Sequence, residues 1–402
     1  MGAGAVSADP TVMWFTGFNS QDSVMLADSN ISSVYIDDTV ATPYPDIDPW
    51  YLGLPDGDPK LYGMTGQPWS CSEPMLYSAV VQFTNDISPS VLIDFMAAVT
   101  NKYYDQHWAL RLATNGDLQL RDANGDYAGV GNVPWVADTW YVIQVLWERG
   151  PSTTVKVWVD GTLYIDADEV DTQNGVSTVC DIRFQGMQGM VGYPTYCLID
   201  AAYVMYDVTD ETDGPCNYYV TGPYSTYHNT TTSDQGTNLT AGPWLNLAEF
   251  PFNSSNRITL PPPPFTYSDK RCDGASYAGP VGDAAVENGI IWAAGWVVRA
   301  YANSSYLRGG KYDGSTYTMF TDSQLLTSLA DDRMVFKNAS ASVVPDATET
   351  AVIGGVCDTG GLGCDWVGAF TVMLIEPTVG GISPKINAEM IPSTRLNEGL
   401  VR

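Results

Sequence analysis

Positive charge is scarce in this chain. Its 402 residues carry 18 Lys and Arg against 46 Asp and Glu, a formal net charge of −28. Sequence-independent nucleic-acid binding needs a basic surface to neutralise phosphates, so no nucleic-acid partner is expected. An anionic membrane surface would repel the chain for the same reason, and no membrane partner is expected either. Long apolar runs are missing too. None approaches the roughly 20 residues that a spanning helix requires. The opening stretch, Met-Gly-Ala-Gly-Ala-Val-Ser-Ala-Asp-Pro, has no basic n-region and no apolar h-region, which predicts no cleaved leader. Val6 stands where N-myristoylation wants Ser or Thr.

Histidine is almost absent, with only His107 and His228. Neither lies in a nucleophile motif, so both read as incidental and a Ser-His-Asp triad is not expected. Close-spaced histidine ligands for zinc are missing, and no glycine-rich phosphate loop precedes a helix. The cysteines, Cys71, Cys180, Cys197, Cys216, Cys272, Cys357 and Cys364, are odd in number and contain no C-x-x-C. A zinc ribbon is therefore not expected. Free, mostly buried thiols of a protein assembled in a reducing compartment are the expected reading, with a Cys357–Cys364 bridge as the alternative. Sequons at Asn229, Asn238 and Asn253 read as unused, a by-product of Ser/Thr richness.

What the chain does have is glycine, proline and tyrosine, 38, 25 and 24 residues respectively, a composition that favours strands and turns. The clearest stretch is Trp140 to Ile165. Val155, Val157 and Val159 alternate with Lys156 and Trp158, the period of a strand with one buried face. Asp160-Gly161 interrupts the run as a tight hairpin turn, because glycine tolerates positive φ. Leu163 and Ile165 resume the run, and Trp140 to Glu148 supplies a partner strand. The stretch predicts a three-stranded antiparallel meander. Leu76–Thr84 and Val91–Thr100 read as strands. Trp108, Leu110 and Leu112 share one face, continued by Leu118 and Leu120. Asn115-Gly116 and Asn124-Gly125 are the next turns. Cys197 to Tyr206 reads as the strand that closes the region.

Earlier in the chain, Trp14-Phe15 and Val34-Tyr35-Ile36 read as short strands, and Thr42 to Pro74 as a long surface excursion. Residues 209–285 are poor in apolar residues and include a tetraproline at 261–264, expected to be stiff and extended. From Gly289 the strand pattern returns: Ile290–Tyr301, Met334–Phe336, Thr350–Gly354 and Ala369–Glu376, with a turn at Asp313-Gly314. Ser323–Leu329 reads as a short helix. The expected organisation is a first domain over 1–208, linker and long loops over 209–285, a second β-rich domain over 286–377 and an arm over 378–402.

The order of pieces in the first half resembles the concanavalin A-like, or laminin-G-like, jelly-roll family. Leu-Gln-Leu-Arg-Asp-Ala-Asn-Gly-Asp at 118–126, Thr139-Trp140-Tyr141 leading to Val157-Trp158-Val159-Asp160-Gly161, and Leu198-Ile199-Asp200 followed by Tyr203-Val204-Met205-Tyr206 carry that likeness. It implies an all-β fold: an N-terminal concanavalin A-like jelly-roll sandwich, followed by a second C-terminal β-sandwich or jelly-roll domain. Joined to a second half with Tyr312–Tyr317 and Pro345–Thr348, the architecture is similar to virion proteins of tailed bacteriophages. That resemblance implies a non-enzymatic structural protein of the head surface or tail. Its expected partners are copies of itself, as a homo-oligomer read as a trimer, and other capsid or tail proteins. The implied location is the virion, assembled in the host cytoplasm.

Glycosidases on this scaffold pair carboxylates in a Glu-x-Asp-x-x-Glu pattern, which occurs nowhere here, so no catalytic residue is assigned. Asp122–Asp126 resembles a calcium loop but lacks the closing Glu, and reads as a turn. The acidic stretch Asp166, Asp168, Glu169 and Asp171 reads as a solvated loop, with a Ca2+ site as the alternative. Trp158, on the face opposite the valines, with Trp135, Tyr164 and Tyr193, forms the candidate glycan-binding set; cover for another layer is the competing reading. A secreted lectin-like protein or glycoside hydrolase is the alternative function.

Overall fold

The computed structural model describes, with side chains, residues 12–14, 70–83, 94–100, 105–173, 175, 178–184, 197–206 and 208; elsewhere it describes the backbone of strands. In chain order the first fourteen strands are β1 (Thr11–Thr16), β2 (Tyr35–Asp37), β3 (Tyr51–Leu54), β4 (Trp69–Ser70), β5 (Met75–Phe83), β6 (Asp94–Val99), β7 (Gln106–Leu112), β8 (Leu118–Arg121), β9 (Tyr127–Gly131), β10 (Trp140–Trp147), β11 (Thr153–Val159), β12 (Thr162–Val170), β13 (Val179–Phe184) and β14 (Cys197–Tyr206). They form two antiparallel sheets. One runs β12-β11-β10-β5-β14-β3-β2, with β1 also on β14; the other runs β4-β13-β6-β7-β8-β9. The expected meander is β10-β11-β12, and Asp160 and Gly161 sit at φ 50° and 74°, the two positive values that a twist-matched two-residue turn demands. The Asp160 side chain secures the corner by accepting from the Val142 N–H at 2.8 Å.

The two sheets face each other as a β-sandwich, the all-β class expected for this half. Tyr77, Ile143, Val145, Trp147 and Val157 come from the larger sheet; Phe95, Trp108, Leu110, Leu120 and Ile182 come from the smaller, and all belong to one buried cluster. Aromatic edges bridge the layers. Tyr77 meets Trp108 at 5.5 Å and 69°, and Phe83 meets Phe95 at 5.2 Å and 81°. Such edge-to-face pairs place the positive ring edge on the negative face of the partner.

On one side the sandwich closes through the edge strands β9 and β12. A Cβ at Gly129 would lie 2.7 Å from the Ile165 methyl, and one at Gly131 3.1 Å from the Tyr164 carbonyl. Only glycine lets the two backbones approach this closely.

The inner strands β5 and β14 of the larger sheet are buried on both faces. Opposite the core lie Val80, Gln82, Gln144, Trp158, Leu198 and Tyr203, each 5% exposed or less. A row Trp158–Gln144–Ser78–Tyr203 runs across β11, β10, β5 and β14. Within it the Gln144 amide donates to the Tyr203 hydroxyl at 3.0 Å, which satisfies polar groups that burial would otherwise penalise.

The later strands are β15 (Tyr219–Thr221), β16 (Ile258–Leu260), β17 (Lys270–Cys272), β18 (Ile290–Tyr301), β19 (Ser305–Tyr312), β20 (Tyr317–Leu326), β21 (Asp331–Val343), β22 (Val352–Asp358) and β23 (Cys364–Glu376). They form two further sheets, β15-β23-β18-β21 with β16 on β23, and β17-β22-β19-β20. The helix expected at Ser323–Leu329 is a misreading: Ser323 to Leu326 continue β20, paired with Arg308 to Ser305. Cross-strand hydrogen bonding overrides the weak local helical preference of so short a run. The excursion between Thr42 and Pro74 contains β3 and β4 and the described residues 71–74; the rest of it, the tetraproline and residues 378–402 lie outside the described residues.

Candidate functional sites

The described members of the candidate aromatic set are all at least half-buried. Trp158 lies on the face opposite the valines, as expected, yet it is only 5% exposed. A ring with no open face cannot stack on a sugar, so the covering role replaces the glycan role expected of it. Trp135 is half-buried between Phe83, at 5.3 Å and 87°, and Tyr141, at 4.7 Å and 83°. Tyr164 is half-buried and packs against the same core. Its position follows from a register slip. Val157 pairs with Ile165 and Trp158 with Leu163, leaving Tyr164 as the extra residue of a bulge. A bulge resets the alternation of side chains. Burial, with smaller contributions from Asp160 and Tyr164, raises the Tyr141 phenol, against the Val136 N–H that its oxygen accepts at 2.8 Å. Tyr193 lies outside the described residues.

The acidic stretch is a strand, not the expected loop. Asp166 and Asp168 point outward from β12, where Lys156 approaches Asp166 at 3.9 Å and the Thr154 hydroxyl donates to Asp168 at 2.7 Å. Glu169 is exposed at φ 60°. Asp171 accepts from the Gln173 N–H at 2.9 Å and the Asn124 amide at 3.2 Å. Asp166 and Asp168 thus share the outer face of β12, while Asp171 lies beyond the end of the strand. Among the described residues no group of three or more His, Cys, Asp or Glu is arranged to hold a metal ion. A calcium ion would need several oxygens around one point, and the side-chain contacts of Asp166, Asp168 and Asp171 are with Lys156, Thr154, Gln173 and Asn124. Asp122–Asp126 is a turn, with Asp122 accepting from the N–H groups of Asn124 and Asp126 at 2.9 and 2.7 Å.

Two constellations were not legible beforehand. The first lies on the smaller sheet, on the face away from the core. Arg183, Ala97, Ala109 and Arg121 form one row across β13, β6, β7 and β8. Beside it, Asp94 accepts from Arg111 at 2.7 Å, with Arg183 at 3.8 Å and Arg121 at 3.9 Å. Three guanidinium groups thus gather around one carboxylate, in a row where Ala97 and Ala109 are fully buried and Arg183 is 2% exposed.

The second surrounds His107, which the sequence marks as incidental. The register steps from Trp108↔Ala98 to Gln106↔Val99, so His107 is the extra residue of another bulge. It is fully buried, with its ring 5.3 Å from that of Trp147. Nδ1 lies 2.8 Å from the Thr172 carbonyl oxygen, and Nε2 3.2 Å from that of Val179 and 3.8 Å from Cys71 Sγ. Cys71 is brought down to about 5, chiefly by the Cys180 thiol, which hydrogen-bonds it, and then by His107 and Arg149, against its own burial. Burial pulls the imidazole down, but Cys71 and the two carbonyls outweigh it and the net shift is upward. Burial and the neighbouring Cys71 raise Cys180; burial alone raises Cys197. Cys71, Cys180 and Cys197 are buried free thiols, as the sequence led one to expect; the side chains of the other four cysteines, and His228, lie outside the described residues.

No family model matches the chain, and no curated protein matches it. Solved structures do. The chain is similar to endo-β-1,4-glucuronan lyase from the fungus Trichoderma reesei (12% identity, 48% of this chain and 95% of that one, TM-score 0.36). It is similar to the cellulose-induced protein Cip1 (12% identity, 43% and 84%, TM-score 0.32). It is also similar to the binding domain of Paraclostridial Mosquitocidal Protein 1 (14% identity, 46% and 45%, TM-score 0.34). These neighbours are β-sandwich proteins and include carbohydrate-active enzymes and binding domains; likeness at such identities is one of fold alone.

Proposed function

We propose that this chain is a non-enzymatic scaffold protein, a structural component of a tailed-phage particle that assembles with copies of itself. The observation that carries the scaffold reading is the double burial of the inner strands of the larger sheet. Val80, Gln144, Trp158 and Tyr203 face away from the sandwich core and are still 5% exposed or less. A sheet covered on both faces is the interior of a load-carrying body, not an open platform for a ligand. The virion placement rests on the sequence resemblance of the second half, from Gly289 to Glu376. Mass spectrometry of purified particles tests it: many copies per particle are expected, and absence of the chain from them ends the placement. Light scattering of the purified chain is expected to give a homo-oligomer, a trimer on this reading, and a monomer at all concentrations removes the self-assembly.

A second reading is carbohydrate contact, with Arg121, whose side chain is 23% exposed and the most open of the three arginines, as its anchor. Guanidinium groups pair bidentately with carboxylates, so the ligand on this reading is an acidic glycan. An array of acidic and neutral polysaccharides, probed with the full chain with and without Ca2+, separates the two readings. Retention of uronate-bearing glycans that is lost in Arg121→Ala supports the second; no retention leaves the scaffold reading alone.

A further inference from the structure

The cluster around His107 has chemistry that a scaffold does not require. Both imidazole nitrogens face carbonyl oxygens, at 2.8 and 3.2 Å. A neutral imidazole carries one N–H, so only the imidazolium donates to both. The negative group beside it is the sulfur of Cys71, 3.8 Å from Nε2. Cys180 is the next thiol, within hydrogen-bonding reach of Cys71 and 3.7 Å from Met75 Sδ. The backbone sets the pair: Cys71 N–H donates to the Thr178 carbonyl at 2.9 Å, and Trp69 pairs with Cys180.

We propose that Cys71, Cys180 and His107 form a dithiol modification site, which a small-molecule disulfide of the glutathione type oxidises to a Cys71–Cys180 cross-link. Cys71 thiolate attacks one sulfur of the reagent and forms a mixed disulfide. The departing thiolate takes the imidazolium proton. Cys180 then attacks the Cys71 sulfur, its proton passing to the second departing thiolate. Two protein thiols are oxidised, one reagent disulfide is reduced to two thiols, and His107 ends neutral. Cys71 suits the first attack because its thiolate is populated near neutrality, whereas Cys180 stays protonated until the Cys71 charge has gone. The other charged and titratable groups facing the pair are Arg149 on Cys71, and Tyr77 and Asp181 on Cys180.

Access comes from the edge. β4 is two residues long and is the outermost strand of its sheet. Ser70 and Ser72 flank Cys71 and are exposed, and Val179 beside Cys180 is 38% exposed. Fraying of so short an edge strand is the least costly opening in the sheet.

The test exposes the folded full chain to oxidised glutathione and reads the products by intact mass and peptide mapping. A 71–180 cross-link is expected, with loss of two hydrogens and Cys197 untouched. Cys180→Ser is expected to stop at glutathione on Cys71. In the unmodified chain, the rate of Cys71 modification should stay nearly level between about pH 6 and about pH 8, where an ordinary thiol would gain about 100-fold. His107→Gln should steepen the profile, short of the full climb because Cys180 and Arg149 still act on Cys71. Cys71 or Cys180 cross-linked to any other cysteine, or Cys71 left reduced while the chain unfolded in denaturant oxidises, overturns the proposal. A steep pH climb in the unmodified protein overturns the thiolate.

Discussion

β5 and β12 belong to the same sheet and follow opposite rules. All nine residues of β5 are buried, including Ser78 and Gln82. β12 alternates, with Ile165 and Ala167 inside and Asp166 and Asp168 outside. β12 is an edge strand with one wet face; β5 lies between β10 and β14 and has none. The contrast shows that period-two patterning reports a strand's position in the fold, not its being a strand. Burial on both faces leaves the polar residues of β5 only partly satisfied: the Gln82 amide donates to the Asp138 carbonyl at 3.0 Å, while Gln82 Oε1 and Ser78 Oγ have no hydrogen-bond partner among the described residues.

Four measurements break or sharpen that contrast. Val80→Lys places a charge on the hidden face of β5. It should cost about 4 kcal/mol or more in a denaturant titration, because a buried charge without a partner is among the largest single-residue penalties. A cost below about 1 kcal/mol would mean that this face is open. Gly129→Val tests the edge closure. Its Cβ meets the Ile165 methyl at 2.7 Å, and overpacking of this kind should cost about 1–3 kcal/mol, read as a lower midpoint at unchanged slope.

Asp160→Asn probes the turn between the alternating strands. Burial raises the Asp160 carboxyl above its ordinary range, the Val142 N–H pulling it partly back. A raised carboxyl contributes fully below its ordinary value and loses that contribution as pH climbs through the folded value. Asn keeps the acceptor and the turn preference but carries no charge. The variant should therefore be more stable than the parent at neutral pH, by about 1 kcal/mol or less, and equal to it in acid. Last, Lys156→Ala removes a cation 3.9 Å from an Asp166 side chain that is 52% exposed. The change should stay below about 0.5 kcal/mol and vanish in high salt.

The strands of the sandwich were legible wherever one face is wet or a glycine corner marks a turn. Trp108, Leu110 and Leu112, the Val155–Val159 alternation and the Asp160-Gly161 corner all lie where their pattern puts them. The sites were not legible. His107 and Tyr164 are both bulge residues, and a bulge shifts every later side chain with no mark in the local pattern. Trp158 was read on the correct face, but whether that face is covered depends on chain far away in sequence. The row Arg183–Ala97–Ala109–Arg121 joins residues up to 86 positions apart, and no window along the chain contains it.

Composition and period, taken alone, determined the β class, the antiparallel pairing of neighbouring strands and the net negative charge, because these depend on short-range sterics and on summed charge. Tertiary structure decided the rest: which strands lose their wet face, which residue absorbs a register slip, and which thiol meets an imidazole. Those outcomes depend on pairing between distant segments, and side chains acquire partners only once that pairing has set the register.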